Sequence, residues 1–332
     1  MPRERENAAV PDASPPTFPP AAGQRLPWSE VPASVRAEVE ARFGSAVVSA
    51  QSQVGGFSPG VAVRPRLADG SRAFVKAVCR APNPDAPEIY RREARIAAAL
   101  PADVPAPALQ WSFDDGEWVV LAFDDIDGRT PDLPWRRDEL ERVFDALRAL
   151  AEQLTPSPIA LDPASEALTR LFGGWRRIAA GEFANQALPD EVRAHLDDFA
   201  ALEARWPEAV RGDALVHLDL RADNLLLTDD RVFVVDWPWA AVGAPWLDLV
   251  AMLPSVAMQG GPDPESAWRS HPLSEGTDDD CVDAFIAALA GLFVHSSLLP
   301  PPPGLPTLRA FQRAQGEHAT AWLSQRRGWT SA

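Results

Sequence analysis

The chain has 332 residues, is 46% hydrophobic and carries a net charge of −16. That length is about two domains' worth, and the charge argues against a nucleic-acid partner, whose phosphates demand a basic face. A membrane span is not expected, since no run of about 18 uninterrupted apolar residues occurs. Neither is a disulfide framework, with Cys79 and Cys281 the sole cysteines. No apolar core follows Met1-Pro2-Arg3-Glu4 to form a secretion signal, so a cytoplasmic location is expected.

Residues 1–25 are rich in Pro and Ala and poor in large apolar groups, which predicts a disordered tail. A short helix is expected over 32–43, then strands over 46–54, 61–67 and 72–78, the last two joined at Asp69-Gly70. Asp85, with Pro87 in the first turn, opens a helix to about Leu100. Strands over 108–113 and 118–123 flank Asp114-Asp115-Gly116. Beyond Gly128 the pattern becomes helical, near 136–154, 164–180, 190–206, 245–258, 279–297 and 306–326. Two short strands, 225–227 and 232–235, interrupt it around Asp229-Asp230. The expected fold is α+β and bilobal, with a tail over 1–25, a small antiparallel-sheet lobe over 26–123 and a larger helical lobe over 124–332.

Chemistry concentrates in His217-Leu218-Asp219-Leu220-Arg221-Ala222-Asp223-Asn224, followed by Asp236. A loop aspartate such as Asp219 can orient a hydroxyl and take its proton. Asn224 and Asp236 offer the hard oxygen ligands that suit Mg²⁺. Any one of these residues could belong to a polar turn. Together, H-x-D-x-x-x-x-N followed by a hairpin and Asp is the layout of phosphoryl transfer. A second signal is compositional. Of 31 basic residues 30 are arginine, and the single lysine is Lys76, set in the apolar strand Ala73-Phe74-Val75-Lys76-Ala77-Val78. A lysine there needs a partner, and Glu93 falls in the apolar stripe Ile89, Ile96, Ala97, Leu100 of the following helix. Glu88 competes, but in the first turn the helix dipole alone accounts for a carboxylate.

His217 to Asn224 with Asp236 resemble the catalytic and metal-binding segments of the aminoglycoside phosphotransferase family, over roughly residues 45–326. The resemblance implies a protein-kinase-like fold, ATP and Mg²⁺ as cofactors, and a small-molecule acceptor phosphorylated on a hydroxyl. It implies that Asp219 is the catalytic base and that Asn224 and Asp236 hold the metal. It also implies that Lys76, paired with Glu93, contacts the α and β phosphates. Gly55, Gly56, Phe57 and Ser58, in Gly55-Gly56-Phe57-Ser58-Pro59-Gly60, resemble the family's nucleotide loop, though without a G-x-G-x-x-G spacing. Asp124 and Ile126 would meet adenine through backbone groups at the hinge. His217 would hold the catalytic loop, and Asp248 would brace it.

A protein kinase would share these parts, but only 11 residues separate Asp236 from Asp248 and no Ala-Pro-Glu follows, too little to dock a peptide. An antibiotic is one acceptor, and a primary metabolite (choline, homoserine or a sugar) is the alternative. A non-catalytic nucleotide-binding protein is opposed by the retention of Lys76, Asp219, Asn224 and Asp236. The charge would serve solubility alone or attract a cationic acceptor. Asp278-Asp279-Asp280 with Asp283 reads as a wall for such an acceptor or as an acidic helix N-terminus.

Overall fold

A strand covered on both faces keeps few polar positions, and the third strand shows why a lone charge there matters. The computed structural model describes residues 18–329 apart from 54, 58, 59, 82 and 187. A helix, α1 (Ala33–Phe43), precedes strands β1 (Val47–Ser52), β2 (Val61–Leu67) and β3 (Ala73–Cys79). Helix α2 (Ala86–Ala99) follows, then β4 (Leu109–Asp114) and β5 (Trp118–Asp124). The strands form one antiparallel sheet in the order β1-β2-β3-β5-β4. Side chains alternate across a strand. Val75 and Ala77 accordingly pack with Val35 and Val39 of α1, and Phe74 and Val78 pack with Tyr90 of α2. Lys76 shares the α2 face, so its ammonium points at the helix rather than at solvent.

The second lobe begins with α3 (Arg137–Gln153) and continues through the short helices α4 (Ala164–Ala167), α5 (Gly174–Ala179), α6 (Asp190–Ala194), α7 (Leu196–Glu203) and α8 (Trp206–Ala209). The helices expected over 164–180 and 190–206 are thus broken. Gly173 takes φ 110° between α4 and α5, and Pro207 restarts the chain at α8. The segment expected to be catalytic lies among four short strands, β6 (Ala214–Val216), β7 (Leu225–Leu227), β8 (Val232–Val234) and β9 (Ala241–Gly243). β6 pairs with β9 and β7 with β8. β6 and β9 escaped the sequence because three apolar residues are too short to show a period.

Helices α9 (Leu247–Met258), α10 (Pro264–Ser270), α11 (Asp279–Ser297) and α12 (Leu308–Arg327) complete the lobe. α11 is long and apolar enough to cross a membrane, but 72% of that stretch is buried within the protein. It is the core helix, packed by α12, α5, α7, α8 and α9. The acidic run at its start is spent internally. Asp278 caps the helix by accepting from Asp280 N at 2.9 Å, Asp279 lies 2.8 Å from both Arg326 and Arg269, and Asp283 meets Arg326. Its second reading, the acidic helix N-terminus, is the one that fits.

The tail expected over 1–25 divides at residue 18. Residues 1–17 lie outside the described residues. From 18 on, the chain is held between the lobes, with Gln24 N donating to Gly304 O at 2.8 Å and Thr307 Oγ1 to Ala22 O at 2.9 Å. Backbone bonds to the helical lobe offset the ordering entropy that the composition alone leaves uncompensated.

Candidate active site

Lys76 and Glu93 meet as expected. Lys76 Nζ donates to Glu93 Oε2 at 2.6 Å and to Asp236 Oδ1 at 2.7 Å, with Lys76 7% and Glu93 3% exposed. Burial works against the Lys76 charge, but Asp236 and Glu93 outweigh it and hold the ammonium above its ordinary pKa. The two carboxylates separate. Burial pushes Glu93 up against the pull of Lys76, whereas at Asp236 the Lys76 charge prevails over burial and keeps the group low.

The catalytic loop is held from behind. Asp248 at the start of α9 accepts His217 N at 2.8 Å and Leu218 N at 2.7 Å. Burial lifts the Asp248 carboxyl to about 6 despite these two bonds. His217 is fully buried. Its Nδ1 lies 3.2 Å from Asp219 N and can only accept there, so Nε2 carries the proton donated to Val235 O at 3.0 Å. Burial lowers the imidazole to about 4, so it ties the loop together as a neutral group. Leu218 and Asp236 both take φ near +65°, at 64° and 68°. Left-handed backbone at non-glycine residues costs about 1–3 kcal/mol each and persists where the surroundings enforce it. Here the Asp248 brace and the Lys76 contact are those surroundings.

Asn224 is 4% exposed and donates from Nδ2 to Asp219 O at 2.7 Å. That fixes the amide and leaves Oδ1 as the atom that would face a cation. Asp236 gives Oδ1 to Lys76, so Oδ2 is its second donor. Both residues line one cavity, and two hard oxygens with room for phosphate oxygens and water fit Mg²⁺. Among the described residues no cluster of three His, Cys, Asp or Glu side chains forms a self-sufficient metal site, so a cation held here would complete its shell with phosphate oxygens and water. Burial pushes the Asp219 carboxyl up to about 7, Arg221 opposes this, and Asp236 and Asp223 add to it.

Arg221 was not singled out by its sequence. Its guanidinium bonds Asp219 and lies 3.1 Å from Asp223 Oδ1, and it sits 5.7 Å from the Phe57 ring. The alternation Asp219-x-Arg221-x-Asp223 was the available signal.

The cavity measures about 360 Å³ between the lobes. Lys76, Glu93, Gly55, Asp124, Ile126, Asn224 and Asp236 line it. Gly56 stands beside it, where a Cβ would lie 3.9 Å from Asp223 Oδ2, and Phe57 packs on Phe311 of α12 at 5.1 Å. Ser58 lies outside the described residues. Between the lobes, the Ile126 carbonyl accepts from Arg64 at 3.0 Å and from Gly128 N at 2.9 Å. Just after Asp236, Trp237 lines the cavity and Trp239 is 37% exposed. The acidic run at α11 does not line it.

Fold and site together define a phosphotransferase of the kinase-like fold. Over residues 62–285 the chain matches the phosphotransferase enzyme family, and it belongs to that family. No curated protein sequence matches it. Solved structures share its fold at low identity. One is a thermostable mutant of an aminoglycoside phosphotransferase, APH(4)-Ia, in a ternary complex with ADP and hygromycin B, at 16% identity and TM-score 0.56, covering 90% of this chain and 100% of that one. Another is the choline kinase LicA from Streptococcus pneumoniae, at 14% and 0.57, covering 87% and 98%. A third is a macrolide 2'-phosphotransferase type I, at 17% and 0.52, covering 92% and 99%.

Proposed function

We propose that this phosphotransferase moves the γ-phosphoryl group of ATP to a hydroxyl of a small molecule, with an antibiotic of aminoglycoside or macrolide type as the first acceptor to test. The observation that carries the reading is the convergence of Lys76, Glu93, Asn224 and Asp236 on one cavity beside Asp219. The ADP bound in the aminoglycoside phosphotransferase structure supports the nucleotide, and the named substrates of the neighbours support a small acceptor. ATP dependence goes with a cytoplasmic location.

Each group has a task its geometry suits. Glu93 holds the Lys76 ammonium at the middle of β3, where it orients the phosphate chain. Asn224 Oδ1 and Asp236 would hold Mg²⁺, which neutralises phosphate charge when bound. Asp219, raised toward neutrality by burial, aligns the acceptor hydroxyl and takes its proton at the carboxylate oxygen. Arg221, clasped by Asp219 and Asp223, fixes that carboxylate's direction. Positioning and charge stabilisation make up most of phosphoryl-transfer catalysis, so these groups suffice.

The test is ATP turnover against a panel of aminoglycosides, macrolides, choline, homoserine and sugars. Turnover confined to choline, homoserine or a sugar would favour the metabolite reading over the antibiotic one. Nucleotide binding with no turnover on any member would favour a non-catalytic binding protein.

A further inference from the structure

A buried amide needs partners for its oxygen and its N–H groups, because bulk water cannot reach them. Gln259 is 4% exposed, and its Oε1 is buried with no hydrogen-bond partner among the described residues. The residue closes α9, the helix that carries the Asp248 brace at its other end, and it lines the cavity between the lobes. A buried acceptor left unpaired costs the full desolvation of the group, so this position calls for a ligand.

The helix end is fixed around the amide. Gln259 N donates to Ser255 O at 3.0 Å and Gly261 N to Val256 O at 2.9 Å, while Gly260 between them takes φ 81°. A Cβ on Gly260 would stand 2.8 Å from Pro134, and Trp135 N donates to Gln259 O at 3.1 Å. Gln259 is thereby held against the stretch that follows the link between the lobes. Thr130, Pro131 and Leu133 of that stretch line the same cavity, as do Asp124 and Ile126 just before it.

We propose that Gln259 binds a hydroxyl of the nucleotide's ribose through Oε1 and thereby favours ribonucleotides over deoxyribonucleotides. The assignment rests on the nucleotide reading above. An amide oxygen needs a donor, and an ionised triphosphate offers acceptors alone. The donors of ATP are its ribose hydroxyls and the adenine amine. In that reading the base lies along the backbone of Asp124 and Ile126, and the phosphates lie at Lys76, Asn224 and Asp236. The sugar spans the wall between them, where Gln259 enters. The acceptor molecule's hydroxyl must instead reach Asp219, which does not line this cavity.

Calorimetry on the full chain reads the sugar separately from the rest of the nucleotide. MgATP, its 2'-deoxy and 3'-deoxy forms and MgITP are titrated into wild type, Gln259→Met, Gln259→Leu and Gln259→Glu. Methionine and leucine remove the acceptor at similar volume, and glutamate keeps one. Wild type should bind MgATP about fivefold or more tighter than at least one deoxy form, the scale of one hydrogen bond. In Gln259→Met and Gln259→Leu that ratio should fall to about one, and Gln259→Glu should retain it. Equal binding of MgATP and both deoxy forms by wild type would overturn the proposal without any variant having to fold. A ratio that survives in Gln259→Met, whatever the absolute affinities, would overturn it as well. Loss of the preference for MgATP over MgITP with the ribose ratio intact would give the amide to the base instead. If wild type bound no nucleotide, the nucleotide reading would fall first and this assignment with it.

Discussion

Lys76 Nζ lies 2.6 Å from Glu93 Oε2, joining the central strand of the small lobe to its helix through a contact almost closed to water. Ion pairs in such surroundings depend on shape as well as charge. Lys76→Arg preserves the charge in a chain that otherwise uses arginine for every side-chain cation. A guanidinium fork cannot occupy the same space between Glu93, Asp236 and phosphate. We expect kcat/KM for ATP to fall about 10²-fold, the scale of a 1 Å misplacement. Glu93→Gln should give a comparable loss, and a double-mutant cycle should show the two far from additive. Wild-type kinetics for Lys76→Arg would remove the phosphate-clamp role.

Asp219→Asn keeps the size and the position of the proposed catalytic side chain but removes its basicity. Nucleotide affinity should stay within about twofold while turnover with the true acceptor falls ~10²–10⁴-fold, the range of general-base contributions. A loss below about threefold would mean that another group takes the proton.

Asn224→Ala and Asp236→Ala should weaken nucleotide binding mainly when magnesium is present. Calorimetry with and without the metal reads this directly. Equal losses in both conditions would contradict metal ligation by these residues.

Asp248→Ala leaves two buried N–H donors, of His217 and Leu218, without an acceptor. Each unsatisfied group costs ~1–3 kcal/mol, so a stability loss of about 3 kcal/mol is expected, with Asp248→Asn recovering part of it. Denaturant unfolding measures both, and an unchanged midpoint for Asp248→Ala would show that the brace carries no weight.

His217 gives a pH signature. The folded imidazole is held at about 4, whereas the unfolded one titrates near its ordinary value of about 6.5. Below about 6.5 the unfolded chain gains a proton that the folded chain refuses until about 4. The neutral histidine's contribution is therefore intact above 6.5 and shrinks as pH falls toward 4, by about 3 kcal/mol at most. Asp248, raised to about 6, acts in the opposite sense, since it keeps a proton the unfolded chain releases. That effect is common to wild type and His217→Gln and largely cancels in their difference. The stability advantage of wild type over His217→Gln should narrow between pH 6.5 and 4.5. A constant difference would mean that His217 does not titrate as its burial implies.

The amino-acid sequence alone determined the sheet lobe, the long helices and most of the candidate site. A charge in an apolar strand, a carboxylate in an apolar helix stripe, and hard-oxygen ligands at fixed spacing on short turns are local patterns with a physical cause at each position. Lys76, Glu93, Asp219, Asn224 and Asp236 were legible on that basis. Only the tertiary structure decided what depends on distant segments. The acidic residues of α11 could have faced an acceptor until Arg326 and Arg269 were seen to take them. Arg221 acquired a role through two carboxylates and an aromatic ring that come together around the loop. Residues 18–25 read as a tail because their composition cannot offset the entropy of ordering. They are ordered because Gly304, Thr307 and the loop at Gly55-Gly56 receive them, and partners that lie outside the segment leave no trace in its own composition.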